Sequence, residues 1–128
     1  MKETDNLIRV AVICDSGPLQ EQIQTALGSQ GEFKYLDTFG LSERLVRELR
    51  AAEPEIILVD FQVGGQSTLD IIDDLQLQFS DAAIVSILPK QDPILAQQVM
   101  LAGAQAFLVQ PFTQVNLQST LRRVHDLR

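Results

Sequence analysis

The chain has 128 residues, enough for one domain with a single core and short of what a second would need. Hydrophobic residues make up 45% of it, which excludes a disordered chain, and a formal charge of −7 argues against a surface built for nucleic-acid phosphates or anionic lipid. Its one cysteine, Cys14, cannot close an internal disulfide, and no Cys/His cluster offers a zinc site. The opening stretch Met1–Asn6 is polar and lacks the apolar centre of a signal peptide. No apolar run approaches the length that spans a bilayer. These features predict a cytoplasmic protein, with residues 1–128 as one domain.

Leu7–Ile13, rich in Ile and Val, reads as a buried strand. It ends at Cys14-Asp15-Ser16-Gly17-Pro18, where Ser16 or Asp15 can cap a helix that Pro18 begins. Leu19, Ile23, Ala26 and Leu27 follow at helical spacing, and Gly28 and Gly31 bracket the helix end. Phe33–Thr38 is a weaker strand. Ser42 is the expected cap of the next helix, which carries Leu45, Val46 and Leu49 and stops at Pro54. Glu55–Asp60 is the clearest strand, with four consecutive apolar residues, as in a central strand covered on both faces. Gly64-Gly65-Gln66-Ser67 reads as a flexible loop before a helix with Leu69, Ile72, Leu75 and Phe79 on one side. Ala82–Leu88 is the fourth strand. Asp92 caps and Pro93 starts a helix with Ile94, Leu95, Val99 and Ala102, closed by Gly103. Ala106–Val109 is the fifth strand, and Thr113 caps a last helix with Leu117, Leu121 and Val124 inward.

Five β-α repeats predict an α/β fold, a parallel sheet with helices on both faces. Sites in such sheets form beyond the carboxyl ends of the strands. The residues there are Cys14 and Asp15, Asp60, Leu88 and Pro89, and Gln110 and Pro111. Asp15 and Asp60 end adjacent strands, so their carboxylates repel unless a cation intervenes, and a hard ion such as Mg²⁺ suits that oxygen set. An aspartate on such an ion can accept a phosphoryl group. The alternative for both is the turn-forming or capping role common for aspartate after a strand.

Val12-Ile13-Cys14-Asp15, Ile57-Leu58-Val59-Asp60 and the stretch Ala102-Gly103-Ala104-Gln105-Ala106-Phe107-Leu108-Val109-Gln110-Pro111-Phe112 resemble the landmarks of CheY-like response-regulator receiver domains. The resemblance runs from about Leu7 to Val124. It implies a flavodoxin-like (βα)5 three-layer sandwich with a five-stranded parallel sheet in the order 2-1-3-4-5. Asp60 falls in the place of the phospho-accepting aspartate. Asp15, Asp60 and the backbone carbonyl of Gln62 fall in the places of the Mg²⁺ ligands, and Phe107 at the aromatic switch position. Three positions depart from the pattern. Cys14 stands where the family has a second acidic residue, Leu88 where it has a serine or threonine, and Gln110 where it has a lysine. Gln110 carries no charge, and Leu88 cannot bond a phosphoryl oxygen.

The expectation is an atypical receiver-like signalling domain, not an enzyme, acting mainly as a protein-interaction or dimerisation module with a degraded phosphorylation site and at most weak Mg²⁺ binding. The alternative is a working two-component receiver phosphorylated on Asp60 by a histidine kinase. A flavodoxin-like cofactor binder fits poorly, because the loop after the first strand has one glycine and a proline without an N–H. The resemblance implies a sensor kinase or effector domain as partner. It also implies a contact or homodimer face on helix 4, strand 5 and helix 5, drawing on Gln97, Met100, Leu101, Gln105, Phe107 and Leu108. No contact with nucleic acid or membrane is expected. Degraded receivers also open longer proteins, among them pilus-assembly ATPases and transcription regulators.

Overall fold

A computed structural model describes residues 7–28 and 31–127. The elements in chain order are β1 (Ile8–Ile13), α1 (Gly17–Leu27), β2 (Phe33–Phe39), α2 (Leu45–Ala52), β3 (Ile56–Asp60), β4 (Gln62–Val63), β5 (Gln66–Ser67), α3 (Leu69–Gln78), β6 (Ala83–Leu88), α4 (Pro93–Ala102), β7 (Ala106–Val109) and α5 (Gln114–Asp126). The main sheet has the order β2-β1-β3-β6-β7, and every pair in it is parallel. With the two-residue strands β4 and β5 set aside, this is the expected order 2-1-3-4-5.

The continuous apolar runs follow from burial on both faces of the sheet. Val10, Val12, Ile56, Leu58, Val85 and Ile87 face a layer that includes Leu19 and Ile23 of α1 and Leu117 and Leu121 of α5. Ala11, Ile13, Ile57, Val59, Ile84 and Leu88 face Leu45 and Leu49 of α2, Ile72 and Leu75 of α3, and Val99 of α4. Each Val, Leu or Ile among them contributes about 1.5–3 kcal/mol on full burial. The β1–β2 register slips by one residue between Val10 and Ala11, so that Tyr35 and Asp37 are paired and Leu36 is left over.

The caps set the helix starts. Ser16 accepts from Leu19 N–H, Asp92 from Ile94 and Leu95 N–H, and Thr113 forms a reciprocal capping box with Asn116. Gly103 closes α4 with φ 123°, a conformation that favours glycine. Three expectations are corrected. Ser42 does not cap α2: its hydroxyl accepts from Arg44 N–H within a turn, and the helix begins at Leu45. Gly64–Ser67 is no irregular loop: with φ 62° at Gly64 and 76° at Gly65, the glycines turn a hairpin that pairs β4 with β5. Ile94, one of the apolar residues expected on α4, is exposed: the helix is apolar on several sides, its pattern does not mark the inward face, and only Val99 is buried.

At the opposite, N-terminal edge of the sheet, Glu55 joins three elements. Its carboxylate accepts from Arg9 N–H of β1 at 3.0 Å and lies 3.4 Å from Nε2 of His125 on α5. Burial alone raises the Glu55 carboxyl. The Arg9 amide, His125 and the Arg9 charge outweigh it and hold the group below its ordinary value.

Candidate functional site

β1 and β3 run side by side, with Ile13 paired to Val59, so their next residues emerge together at the C-terminal edge. Cys14 is buried and Asp15 exposed, while Asp60 is partly buried. Burial pushes the Asp60 carboxyl from an ordinary 3.8 up to about 6; a hydrogen bond with the Phe61 backbone opposes the rise, and the Asp15 charge adds to it. The two carboxylates therefore sense each other. Burial also raises the Cys14 thiol, against a bond to the Ser16 backbone, with the Asp60 and Asp15 charges adding to it. Among the described residues no Lys or Arg forms an ion pair with Asp15 or Asp60.

Gln62 lies exposed on β4, two residues after the acceptor position. Two residues that the sequence did not mark as part of the site shape this corner. Gly64 donates its N–H to Asp15 Oδ2 at 2.7 Å. Thr68, wholly buried, donates its hydroxyl toward the carbonyls of Asp60 at 2.7 Å and Phe61 at 3.0 Å. The Gly-Gly pair was the available signal for the hairpin; nothing in local sequence marks Thr68, whose role depends on chain returning to Asp60.

The altered positions fall as follows. Leu88 is fully buried in the core facing α2, α3 and α4, and its carbonyl accepts from Gln110 N–H at 2.9 Å. Ser86, two residues earlier on β6, is also fully buried, and its hydroxyl has no hydrogen-bond partner among the described residues. Gln110, joined to Pro111 by a cis peptide, lines a cavity of about 500 Å³ with Lys90, Phe107, Phe112 and Asn116; neither Asp15 nor Asp60 borders it. Its side chain makes no hydrogen bond among the described residues. Phe107 is 36% exposed. Of the expected contact face, Gln97, Met100, Leu101 and Gln105 are exposed, but Leu108 is not: it is 5% exposed, turned into the core by strand alternation.

The architecture has many counterparts. The signal receiver domain of the response regulator NarL from Mycobacterium tuberculosis superposes with a TM-score of 0.85 at 18% identity, covering 96% of this chain and 99% of that one. The chemotaxis response regulator CheY4 of Vibrio cholerae gives 0.74 at 19% identity, covering 92% and 98%. The fold is that of a response-regulator receiver domain. A pilus assembly-related protein from Burkholderia pseudomallei shares the receiver fold too, with a TM-score of 0.81 at 16% identity over 94% of this chain and 91% of that one. In sequence, the chain is 26% identical over 121 residues to a probable C4-dicarboxylate response regulator, DctR, of Halalkalibacterium halodurans. That match covers 94% of this chain and 53% of the relative, so the chain spans about half the relative's length. No protein-family model matches the chain.

Receiver folds imply Mg²⁺ at this edge. Among the described residues no group of three or more His, Cys, Asp or Glu side chains is placed to hold a metal. The donors expected here are the Asp15 and Asp60 carboxylates and the Gln62 backbone carbonyl. That set suits Mg²⁺, which takes one or two carboxylates and keeps several waters. The repulsion between Asp15 and Asp60 is what a divalent cation would relieve. One Asp15 oxygen is shared with Gly64, so the fit is to a weakly held ion. No helix among the described residues is long and apolar enough to cross a membrane.

Proposed function

We propose that this receiver-fold domain acts mainly as a protein-interaction or dimerisation module in cytoplasmic signalling, not as an enzyme, with a phosphorylation site at Asp60 that has lost its reporting parts. The observation that carries this reading is Leu88. It is fully buried where the resemblance calls for a hydroxyl, so no donor at that position can follow a phosphoryl group. Gln110 adds to it, bringing no positive charge and lining a cavity that does not reach the carboxylates. Charge-assisted bonds to an anionic group contribute about 1.5–3 kcal/mol each, so losing two weakens both transfer and signalling.

Asp15, Asp60 and the Gln62 carbonyl would hold Mg²⁺, which supplies charge neutralisation for a phosphoryl group beside Asp60. The partner is a sensor kinase or an effector domain. The contact surface, for a partner or a second copy, is α4, β7 and α5, where Leu101 and Met100 are exposed. The net charge of −7 supports a domain that does not itself bind nucleic acid or membrane. A second reading, phosphorylation on Asp60 by a histidine kinase, is favoured by the retained pair Asp15 and Asp60.

Acetyl phosphate or beryllofluoride with Mg²⁺, followed by intact mass or amide NMR, separates the two. The proposed reading expects no modified Asp60 and no shifts beyond the carboxylate edge. A stoichiometric adduct under ordinary conditions, with shifts reaching Phe107, would replace it with the second reading.

A further inference from the structure

We propose that the Gln62–Ser67 hairpin is the element that responds to a divalent cation at this site, with the Asp15 carboxylate as the point of exchange. The proposal rests on the reading of Asp15 and Asp60 as cation-facing carboxylates.

The hairpin follows Asp60, touches Asp15 at its tip and returns to Asp60 at its base. Its base is clamped at Asp60: the Thr68 hydroxyl reaches the Asp60 and Phe61 carbonyls, and Thr68 N–H donates to Phe61 O at 2.9 Å. Its tip is tied to Asp15 through Gly64 N–H at 2.7 Å. Among the described residues, this is the tip's one hydrogen bond to another element. Between the two fastenings, only Val63 is buried. Both turn residues are glycines with positive φ, so no side chain holds the tip in place.

A carboxylate that shares its charge with a divalent ion is a weaker acceptor for an amide. A cation drawn in by the Asp15–Asp60 repulsion therefore competes with Gly64 for Asp15. The tip loosens while Thr68 keeps the base in place. Gln62, whose carbonyl is the third expected oxygen, lies between the two. Cation occupancy is thereby turned into a change at the exposed Gly64–Gln66 surface. This route needs neither a hydroxyl at Leu88 nor a lysine at Gln110.

Backbone amide NMR of the full chain tests this with Mn²⁺ to locate the ion by broadening and Mg²⁺ to read the response. The expected result is broadening at Asp15 and Asp60, an upfield shift of the Gly64 amide, and Gly64 exchange with solvent faster by about fivefold to tenfold. The Thr68 amide should stay protected. In Asp15→Asn the Gly64 response should be lost. In Thr68→Val it should persist while the base also begins to exchange. Broadening at both carboxylates with an unmoved Gly64 in the wild-type chain overturns the hairpin proposal alone. No broadening at either overturns it together with the cation reading. The wild-type titration decides between these even where a variant fails to fold.

Discussion

Thr68 and Asp60 lie eight residues apart, and the hydroxyl of the first meets the backbone carbonyl of the second at 2.7 Å. A fully buried threonine thus closes the base of the hairpin directly onto the candidate acceptor residue. Thr68→Val keeps the shape and removes the donor, leaving the Asp60 carbonyl without it. A loss of about 1–2 kcal/mol is expected, measured as a lower urea midpoint with an unchanged slope. An unchanged midpoint would show that water serves the carbonyl equally well.

Asp60 makes stability depend on pH in an unusual direction for an aspartate. Its carboxyl titrates at about 6 in the folded chain against 3.8 ordinarily, so the folded state holds this proton more tightly. The stabilisation by protonation is complete below about pH 3.8 and is lost as pH rises through about 6. Asp60→Asn removes this dependence. In metal-free buffer the variant should gain about 1–2 kcal/mol on the wild type between acidic and neutral pH. Parallel pH profiles of the two melting temperatures would contradict the assignment.

Glu55 behaves in the opposite sense. Its folded value is depressed, so its contribution is present above the ordinary 4.5 and is lost as pH falls through the lower folded value. Glu55→Gln should cost about 0.5–1 kcal/mol at neutral pH and nothing in strong acid. Thermal melts of both chains across that range check it. A deficit that persists undiminished below pH 3 would point to packing in place of charge.

Restoring the missing groups tests the function proposed above. Leu88→Thr should cost about 1–3 kcal/mol, since it places a hydroxyl in the core. Combined with Gln110→Lys, it should raise the labelling rate by acetyl phosphate about tenfold or more. Mass spectrometry over time provides the rate. A double variant that folds and labels no faster would show that these two positions are not what limits the chemistry.

Much of the fold was legible because local signals agreed with the global one. The apolar runs of β1, β3 and β6 and the caps at Ser16, Asp92 and Thr113 each act within a few residues. The errors arose where the deciding interaction was elsewhere. Ile94 reads as core because α4 is apolar on several sides, and only packing selects Val99 for burial. Ser42 reads as a cap, but its hydroxyl is spent on Arg44 in the turn ahead of the helix. Asp15 and Asp60 were visible from the strand ends. Their hairpin fastening was not, since Gly64 and Thr68 meet them only after the chain has turned back.

The one-residue slip opposite Val10 lies on β2, an outer strand of the sheet. A bulge of this kind increases local twist and spoils the flat row of free amides and carbonyls that another strand would need. Lys34 and Asp37 place exposed charge along the same edge. The domain is thereby guarded against open-ended stacking into fibres through β2, and association between copies is directed to the opposite end of the sheet, where β7 is the other outer strand.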